Sequence, residues 1–158
     1  MLESFLKLET IPGESTDAEY QGQITLLSWS WSVQFDPSEK VGIDQQPKLA
    51  IEAFRFVKQL DPWSPKIMFA CVSRQVIPQA VLTSRRAASD SPGRILRITL
   101  ADVRVSSYCA SQTAEADAPV EEFVLSFRSI EFECFESRMG LPAGVIRSGW
   151  DTVADQPC

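Results

Sequence analysis

The chain has 158 residues, a size typical of a single domain, and 44% of its residues are hydrophobic, which is enough to fill a core. It contains no histidine, which excludes Ser-His, Cys-His and histidine-metal chemistry. Its net charge of −6 opposes the counterion release that drives non-specific binding to nucleic acids, so no nucleic-acid partner is expected.

The cysteines and the apolar runs argue against a structural zinc site and against a membrane-spanning segment. Four cysteines stand far apart, without the close pairs typical of structural zinc sites, and we interpret them as free thiols. The longest apolar run, residues 67–72, is far shorter than the ~20 residues that cross a bilayer, so no membrane insertion is expected. The N-terminus lacks a basic region followed by an apolar stretch, so we expect no cleavable signal peptide.

The first strong strand pattern covers residues 27–35. Its odd positions are apolar: Leu27, Trp29, Trp31, Val33 and Phe35. Its even positions include Ser28, Ser30 and Ser32. This period of two predicts a strand with one face in the core and one small, polar face. The serine row is typical of a solvated face, although small side chains also line narrow passages without blocking them, and both interpretations remain open.

The segment 36–47 is rich in proline, glycine, charged and amide residues, and it joins two strong strands. We expect a long exposed connection there rather than a tight turn. The residues of interest in this loop are Pro37, Lys40, Val41, Gly42 and Pro47.

One short helix is predicted in the middle of the chain. Ser64 is expected to cap its first turn, and Pro65 suits the first helical position. Residues 66–73 then supply about two turns, with Ile67 and Cys71 on the side that faces the sheet.

Two changes of alternation predict strands that change sheets. Within residues 122–135 the apolar positions are odd up to Phe127 and even from Ile130 onward. Because a slip of one residue turns every later side chain to the other face, the change near Ser129 needs a β-bulge or a passage between two packed sheets. A similar change separates Ile51 from Phe54.

These patterns predict a mainly β fold with about eight or more strands, a two-sheet β-barrel with one short flanking α-helix. Further strands are predicted at 5–8, 79–84, 94–100 and 103–108. Residues 1–150 are expected to form one domain and residues 151–158 a frayed tail. The predicted core aromatics are Trp29, Trp31, Phe54, Phe56, Phe127 and Phe132. Cys71 and Cys134 are expected to be buried, and Cys158 exposed.

No catalytic or cofactor site is indicated. The carboxylates of Glu14, Asp17 and Glu19 fall in a region where turns are ordinarily acidic, and Cys71 has no histidine to act as its base. There is no glycine-rich phosphate loop. We therefore predict neither a cofactor nor a metal ion, and the chain is not expected to be an enzyme.

Several short motifs follow one another in a characteristic order. They are the turn Gly13-Glu14-Ser15, the strand Ser28-Trp29-Ser30-Trp31, the helix start Ser64-Pro65 with Ala70-Cys71, and Gly149-Trp150 near the end. No single motif is specific, but the combination is. Over nearly its whole length the chain resembles the haemolysin-coregulated protein (Hcp) family, which forms the inner tube of the bacterial type VI secretion apparatus.

The resemblance implies a ring-forming protein whose homohexamers stack into a hollow tube inside the TssB/TssC sheath, with a VgrG spike at the tip. It implies a protein that is cytoplasmic before firing and is then secreted by the type VI apparatus, with effector proteins carried in the lumen. In this arrangement Ser28, Ser30 and Ser32 face the lumen. The loop 36–47, less glycine-rich than is usual in the family, would contact the next ring.

The alternative interpretation is a monomeric β-barrel that binds an apolar small molecule, since barrels often enclose ligand cavities. The predicted core aromatics leave little room for a ligand, which favours the tube protein. A third possibility, an enzyme fused to an Hcp scaffold, would need sequence beyond a barrel of this size.

Overall fold

Antiparallel strands make up most of the computed structural model, which describes residues 1–36, 48–87, 93–139 and 141–158. The strands are β1 (Leu2–Leu8), β2 (Ile24–Leu26), β3 (Ser28–Ser30), β4 (Val33–Phe35), β5 (Leu49–Ile51), β6 (Phe54–Gln59), β7 (Ile77–Arg86), β8 (Arg94–Ser111), β9 (Val120–Ser126), β10 (Ser129–Arg138), β11 (Leu141–Asp151) and β12 (Gln156–Pro157). The helix α1 (Ser64–Val72) lies between β6 and β7. The predicted ring-stacking positions Pro37, Lys40, Val41, Gly42 and Pro47 lie outside the described residues.

Ten of the strands in the described ranges form two sheets that share the long strand β8, and β4 and β5 form a separate two-stranded ribbon. Sheet A has the order β12-β11-β10-β8-β7-β1-β2, and sheet B has the order β3-β6-β9-β8. Only Leu27 separates β2 from β3, and its backbone N–H donates to the carbonyl of Val57 on β6 at 2.8 Å. The pairings therefore run in a circuit, and the predicted two-sheet β-barrel with one helix is confirmed.

β8 belongs to both sheets because its backbone bends. Asp102 has a φ of 50°, a left-handed conformation that aspartate tolerates better than most residues. A β-bulge shifts the register between Val105 and Ser107. Up to Val103 β8 pairs with β7 and β10, and from Arg104 onward it pairs with β9. The predicted strands 94–100 and 103–108 are thus parts of one continuous strand.

Both predicted changes of alternation mark a passage from one sheet to another. β9 ends at Ser126 in sheet B, and β10 begins at Ser129 in sheet A. β5 ends at Ile51 in a separate ribbon with β4, and β6 begins at Phe54 in sheet B. Of the two explanations for the change near Ser129, the passage between sheets is therefore confirmed.

The core lies between the sheets and beneath α1. Phe54, Phe56 and Phe123 are fully buried, and the ring of Trp31 stacks on Phe54 at a centroid distance of 5.1 Å. Partly buried aromatics pack against this core: Trp29, Trp31, Phe127 and Phe132. The six aromatics that the sequence assigns to the core thus lie in it or against it.

The predicted strand 27–35 is two short strands, and three of its apolar side chains are exposed. These are Leu27, Val33 and Phe35. β3 ends at Ser30, and β4 pairs with β5 rather than with sheet B, so Val33 and Phe35 lie outside the core. A period of two identifies residues that share a face, but it does not identify what covers that face.

α1 begins differently from the prediction. Trp63 is the N-cap residue and makes no side-chain capping bond, so Ser64 is the first helical residue and not the cap. The hydroxyl of Ser64 instead donates to Glu121 at 2.9 Å. Pro65 lies in the first turn as predicted, Ile67 is buried, and Cys71 is partly buried.

The β10–β11 hairpin extends beyond the core, and the predicted burial of Cys134 is wrong. Cys134 continues the series of Ile130 and Phe132, but it is exposed, as is its partner Ile146 on β11. The core layer that buries Ile130 therefore does not extend as far as Cys134 and Ile146. The alternation correctly placed Cys134 on the same face of β10 as Ile130 and Phe132. It did not indicate where along β10 the core stops covering that face.

The prediction that residues 151–158 form a frayed tail is wrong. β12 pairs with β11, with Pro157 opposite Trp150. The carboxylate of Asp151 accepts hydrogen bonds from the backbone N–H groups of Val153 and Ala154, each at 2.9 Å. Such side-chain to backbone bonds stabilise a turn without apolar periodicity, which explains why the sequence pattern did not indicate it.

Candidate functional site

The two sides of sheet B have opposite character. Along β6, Phe54 and Phe56 are buried, whereas Arg55 is exposed. Ser28 and Ser30 on β3 are exposed, and the register places Ser30 opposite Arg55. Because paired residues share a face, the serines lie on the side away from the aromatic core.

Two rows of paired residues cross this outer side of sheet B. One row is Ser28, Val57, Glu122 and Cys109. The other is Ser30, Arg55, Val124 and Ser107. We call these eight residues the serine-rich face. Most of their side chains are small, so the face is shallow.

One ion pair lies within the serine-rich face. The guanidinium of Arg55 donates to the carboxylate of Glu122. Both side chains are substantially exposed, and exposed pairs contribute little stability. The pair leaves the face without net charge. Sequence reasoning missed both residues, although each occupies a polar position in an alternating strand.

A shallow cavity adjoins the serine-rich face. Ser32 lies just beyond β3, and its carbonyl accepts a hydrogen bond from the N–H of Glu52 at 3.1 Å. The indole N–H of Trp31 donates to the carbonyl of Glu52 at 2.8 Å. The cavity measures about 300 Å³ and is lined by Ser30, Trp31, Ser32, Glu52, Ala53 and Arg55. The three predicted serines are therefore all exposed and border one continuous surface.

A buried polar network lies on the opposite, inner side of sheet B. Lys58 Nζ lies 2.5 Å from Glu121 and 3.0 Å from Asp61. Ser64 on α1 and Tyr108 on β8 both donate hydrogen bonds to the carboxylate of Glu121. Burial, and next the bond to Glu121, raise the pKa of Tyr108 above its ordinary value. The network fastens α1 to the side of the sheet away from the serine-rich face.

Sheet B has an unpaired edge on each side within the described ranges. β3 pairs only with β6, and residues 104–111 of β8 pair only with β9. Since four antiparallel strands make up the sheet, its two edge strands run in opposite directions. An unpaired edge is a template for pairing with another chain.

Two of the three acidic residues that the sequence singled out, Asp17 and Glu19, form structural links. Asp17 pairs with Arg85 and accepts hydrogen bonds from the N–H groups of Glu19 and Tyr20. The hydrogen bond from Arg85 lowers the pKa of Asp17 below its ordinary value. Within the parts of the chain that the structure describes, no group of three or more metal-binding side chains comes together.

A comparison with known families shows to which family this chain belongs. The family described as type VI secretion system effector, Hcp, matches residues 5–134. The chain belongs to the Hcp family.

Individual relatives are similar to this chain in sequence or in structure over almost its full length. Protein hcp1 of Pseudomonas aeruginosa is 29% identical over 153 residues, which cover 95% of this chain and 94% of that protein. The crystal structure of Hcp1 from Salmonella typhimurium superimposes with a TM-score of 0.85 at 28% identity, covering 99% of both chains. The structure of a type six secretion system protein superimposes with a TM-score of 0.88 at 25% identity and covers both chains completely.

Membership defines the class of the protein. It is a secreted type VI tube or effector protein, from a family of structural tube proteins, and the small-molecule-binding monomer is not favoured. No helix in the described ranges is both long and apolar enough to cross a membrane.

Proposed function

We propose that this protein forms hexameric rings that stack into the inner tube of a type VI secretion apparatus, with the serine-rich face lining the lumen. The observation that carries the proposal is the pair of unpaired edges on sheet B, formed by β3 and by residues 104–111 of β8. An unpaired edge on each side of one sheet suits repeated pairing between identical copies.

The directions of the two edges favour a closed ring. When β8 of one copy lies beside β3 of the next, the antiparallel alternation continues across the contact. Each copy then uses two different surfaces, which is the head-to-tail contact that generates rings. The sheets merge into one wall, with the serine-rich face on one side and α1 on the other.

The chemistry of the wall suits a passage for cargo. Its side chains are mostly small, and Arg55 neutralises Glu122, so the surface offers few strong contacts that would retain a passing protein. The proposed partners are effector proteins in the lumen, a VgrG spike at the tip and a TssB/TssC sheath outside. The loop carrying Pro37, Lys40, Val41, Gly42 and Pro47 contacts the next ring. The protein acts without catalysis, in the cytoplasm before firing and outside the cell afterwards.

Disulfide trapping tests the edge pairing directly. The native Cys109 is exposed on β8, and directly opposed residues on antiparallel strands lie about 4.5–5.5 Å apart, within disulfide reach. Ser28→Cys and Ser30→Cys are each made in a chain that also carries Cys134→Ser and Cys158→Ser. Oxidation should give a ladder of covalent oligomers, up to six chains, on a denaturing gel.

Two controls accompany this experiment. Ser73→Cys, an exposed position on the far side of α1, should give no ladder with Cys109, and adding Cys109→Ser should abolish the ladders of the β3 variants. Rings in electron micrographs without cross-linking at either serine would refute the edge pairing. Monomers alone at micromolar concentration, by light scattering, would refute ring formation itself.

A further inference from the structure

The outward side of α1 is apolar. Phe69 is 61% exposed and Val72 is 68% exposed, and Met68 and Val76 are exposed beside them. On the other side of the helix, Ile67 and Ala70 are fully buried. We call Met68, Phe69, Val72 and Val76 the α1 apolar face.

An ordinary surface helix carries polar residues on its outward side. α1 instead has apolar side chains on both sides. Contiguous exposed apolar residues mark interaction surfaces on soluble proteins, whereas single ones need no explanation. α1 exposes three large apolar side chains within about two turns, so they form a contiguous apolar surface.

All the charged residues in the segment that carries this face are basic. Lys66 and Arg74 lie at its two ends, and no Asp or Glu occurs from residue 63 to residue 89. This is unusual in a chain with 21 acidic and 15 basic residues. Lys66 Nζ lies 5.0 Å from the ring centroid of Trp63, and in the described ranges neither Lys66 nor Arg74 has an ion-pair partner. The α1 apolar face therefore has a basic border with no acidic residue of its own to neutralise it.

The helix is anchored to the core by polar and apolar contacts. Ser64 in its first turn bonds to Glu121, which is in turn paired with Lys58, and Ile67 and Ala70 pack in the core. A surface that is already ordered loses little entropy on binding. α1 also lies on the side of sheet B away from the serine-rich face, so the proposed ring leaves it on the outside.

We propose that the α1 apolar face docks an amphipathic helix of another protein, one with an apolar stripe bordered by Asp or Glu residues. The apolar stripe would cover Phe69 and Val72, and the acidic border would pair with Lys66 and Arg74. Symmetric pairing of two α1 faces would bring like charges together, which disfavours a second copy in that arrangement. The docking does not depend on ring formation, because the face is exposed on the single chain.

Two synthetic peptides of about 18 residues test the proposal on the full chain. Both carry the same leucine stripe, one bordered by Glu and the other by Lys, and binding is followed by fluorescence anisotropy. The Glu peptide should bind about tenfold more tightly than the Lys peptide, which corresponds to about 1.4 kcal/mol. Phe69→Ser with Val72→Ser should abolish binding, and Lys66→Glu with Arg74→Glu should reverse the preference.

The matched control is Val153→Ser, which removes an equally exposed apolar side chain elsewhere and should leave binding unchanged. All of these substitutions are at exposed positions, and thermal melts verify that each variant is folded. Equal binding of both peptides, or binding that survives the Phe69 and Val72 changes, would overturn the proposal. Two further results would also overturn it: binding to phosphatidylserine vesicles but not to the Glu peptide, and photo-cross-linking from position 69 to a second copy.

Discussion

Lys58 Nζ lies 2.5 Å from the carboxylate of Glu121, and the two side chains are 1% and 0% exposed. A buried ion pair is costly to form but more costly to break, because the remaining partner keeps an uncompensated charge. This pair joins β6 to β9, and Ser64 connects it to α1. The position of the helix therefore depends on a charge network inside the barrel.

Replacing Lys58 with Met should lower the free energy of unfolding by about 3–5 kcal/mol, since Glu121 would stay buried without its cation. Lys58→Met combined with Glu121→Gln should cost less than the sum of the single changes. Urea denaturation measures both. The control is Lys7→Met, an exposed lysine whose replacement should cost within about 0.5 kcal/mol. A loss below about 1 kcal/mol for Lys58→Met would mean that Glu121 does not need its cation.

The sequence predicted those features of the fold that depend on residues close together in the chain. Alternation identified Phe54 and Phe56 as core residues, and its changes of phase located the passages between sheets. It did not predict that Val33 and Phe35 are exposed. They are exposed because their strand, β4, pairs with β5 in a separate ribbon and not with sheet B. Which layer covers a face is decided by distant segments, and a local pattern carries no information about them.

In the candidate site, too, some features follow from the local sequence pattern and others require the three-dimensional structure. The exposed positions of Ser28 and Ser30 follow from the period of two in one strand. The Arg55–Glu122 pair joins residues 67 positions apart, so it becomes visible only with the strand register. The Lys58–Glu121 pair requires the same register. An apolar outward side of α1 is readable from the sequence only once the inward side is known.

Acid should weaken the link between β10 and its two neighbours. Glu133 is buried, accepts a hydrogen bond from Arg97 at 2.6 Å and forms an ion pair with Arg147 at 3.1 Å. The bond from Arg97 is the main reason that the pKa of Glu133 lies below its ordinary value of 4.5. A lowered pKa adds stability that is complete above about pH 5 and is lost as the pH falls through the folded-state value.

The melting temperature of Glu133→Gln should therefore lie below that of the unmodified chain at pH 7, and the difference should shrink as the pH falls toward 3. Glu136→Gln, at an exposed position on the same strand, should show no such convergence. A difference that stays constant with pH would contradict the assignment to the ionised form of Glu133.

Gly13 should not tolerate a side chain. A Cβ atom there would lie 2.4 Å from the carbonyl oxygen of Gln23, a backbone atom that cannot move aside without disturbing the turn. Gly13→Ala should therefore destabilise the fold by about 1–3 kcal/mol, measured by urea denaturation. Gly144→Ala is the matched control, because its Cβ would meet nothing closer than 3.9 Å. Equal stability of the two variants would show that the turn relaxes freely.

Enlarging Ser30 should affect cargo but not the fold. The side chain is exposed on the serine-rich face and borders the shallow cavity, so Ser30→Trp should leave the melting temperature and ring formation unchanged. In the proposed tube it would narrow the lumen, and co-purification of a small effector with the rings should fall. Ser73→Trp, on the outer side of α1, should leave cargo retention intact. Unchanged retention in Ser30→Trp would contradict a lumenal position.

The cysteines report on both the fold and the assembly. Cys109, Cys134 and Cys158 are exposed, whereas Cys71 is partly buried on a helix that packs against the core. Thiols react through their accessible thiolate, so alkylation of the single chain with iodoacetamide should label Cys71 most slowly. Peptide mass spectrometry after short exposure measures each site. Labelling of Cys71 as fast as that of Cys134 would mean that α1 detaches from the core under native conditions.

Ring formation should change the rate at one of these sites. Cys109 lies on the β8 edge, which the neighbouring copy covers in the proposed ring, while Cys134 lies on the hairpin that extends beyond the core. When rings are compared with single chains separated by size-exclusion chromatography, the labelling of Cys109 should be slower in the rings, because β3 of the neighbouring copy lies beside this thiol on the lumenal side. Cys134 serves as the internal reference on the same molecules. Protection of Cys134 without protection of Cys109 would place the contact between copies on the β10–β11 hairpin and not on the edge of sheet B.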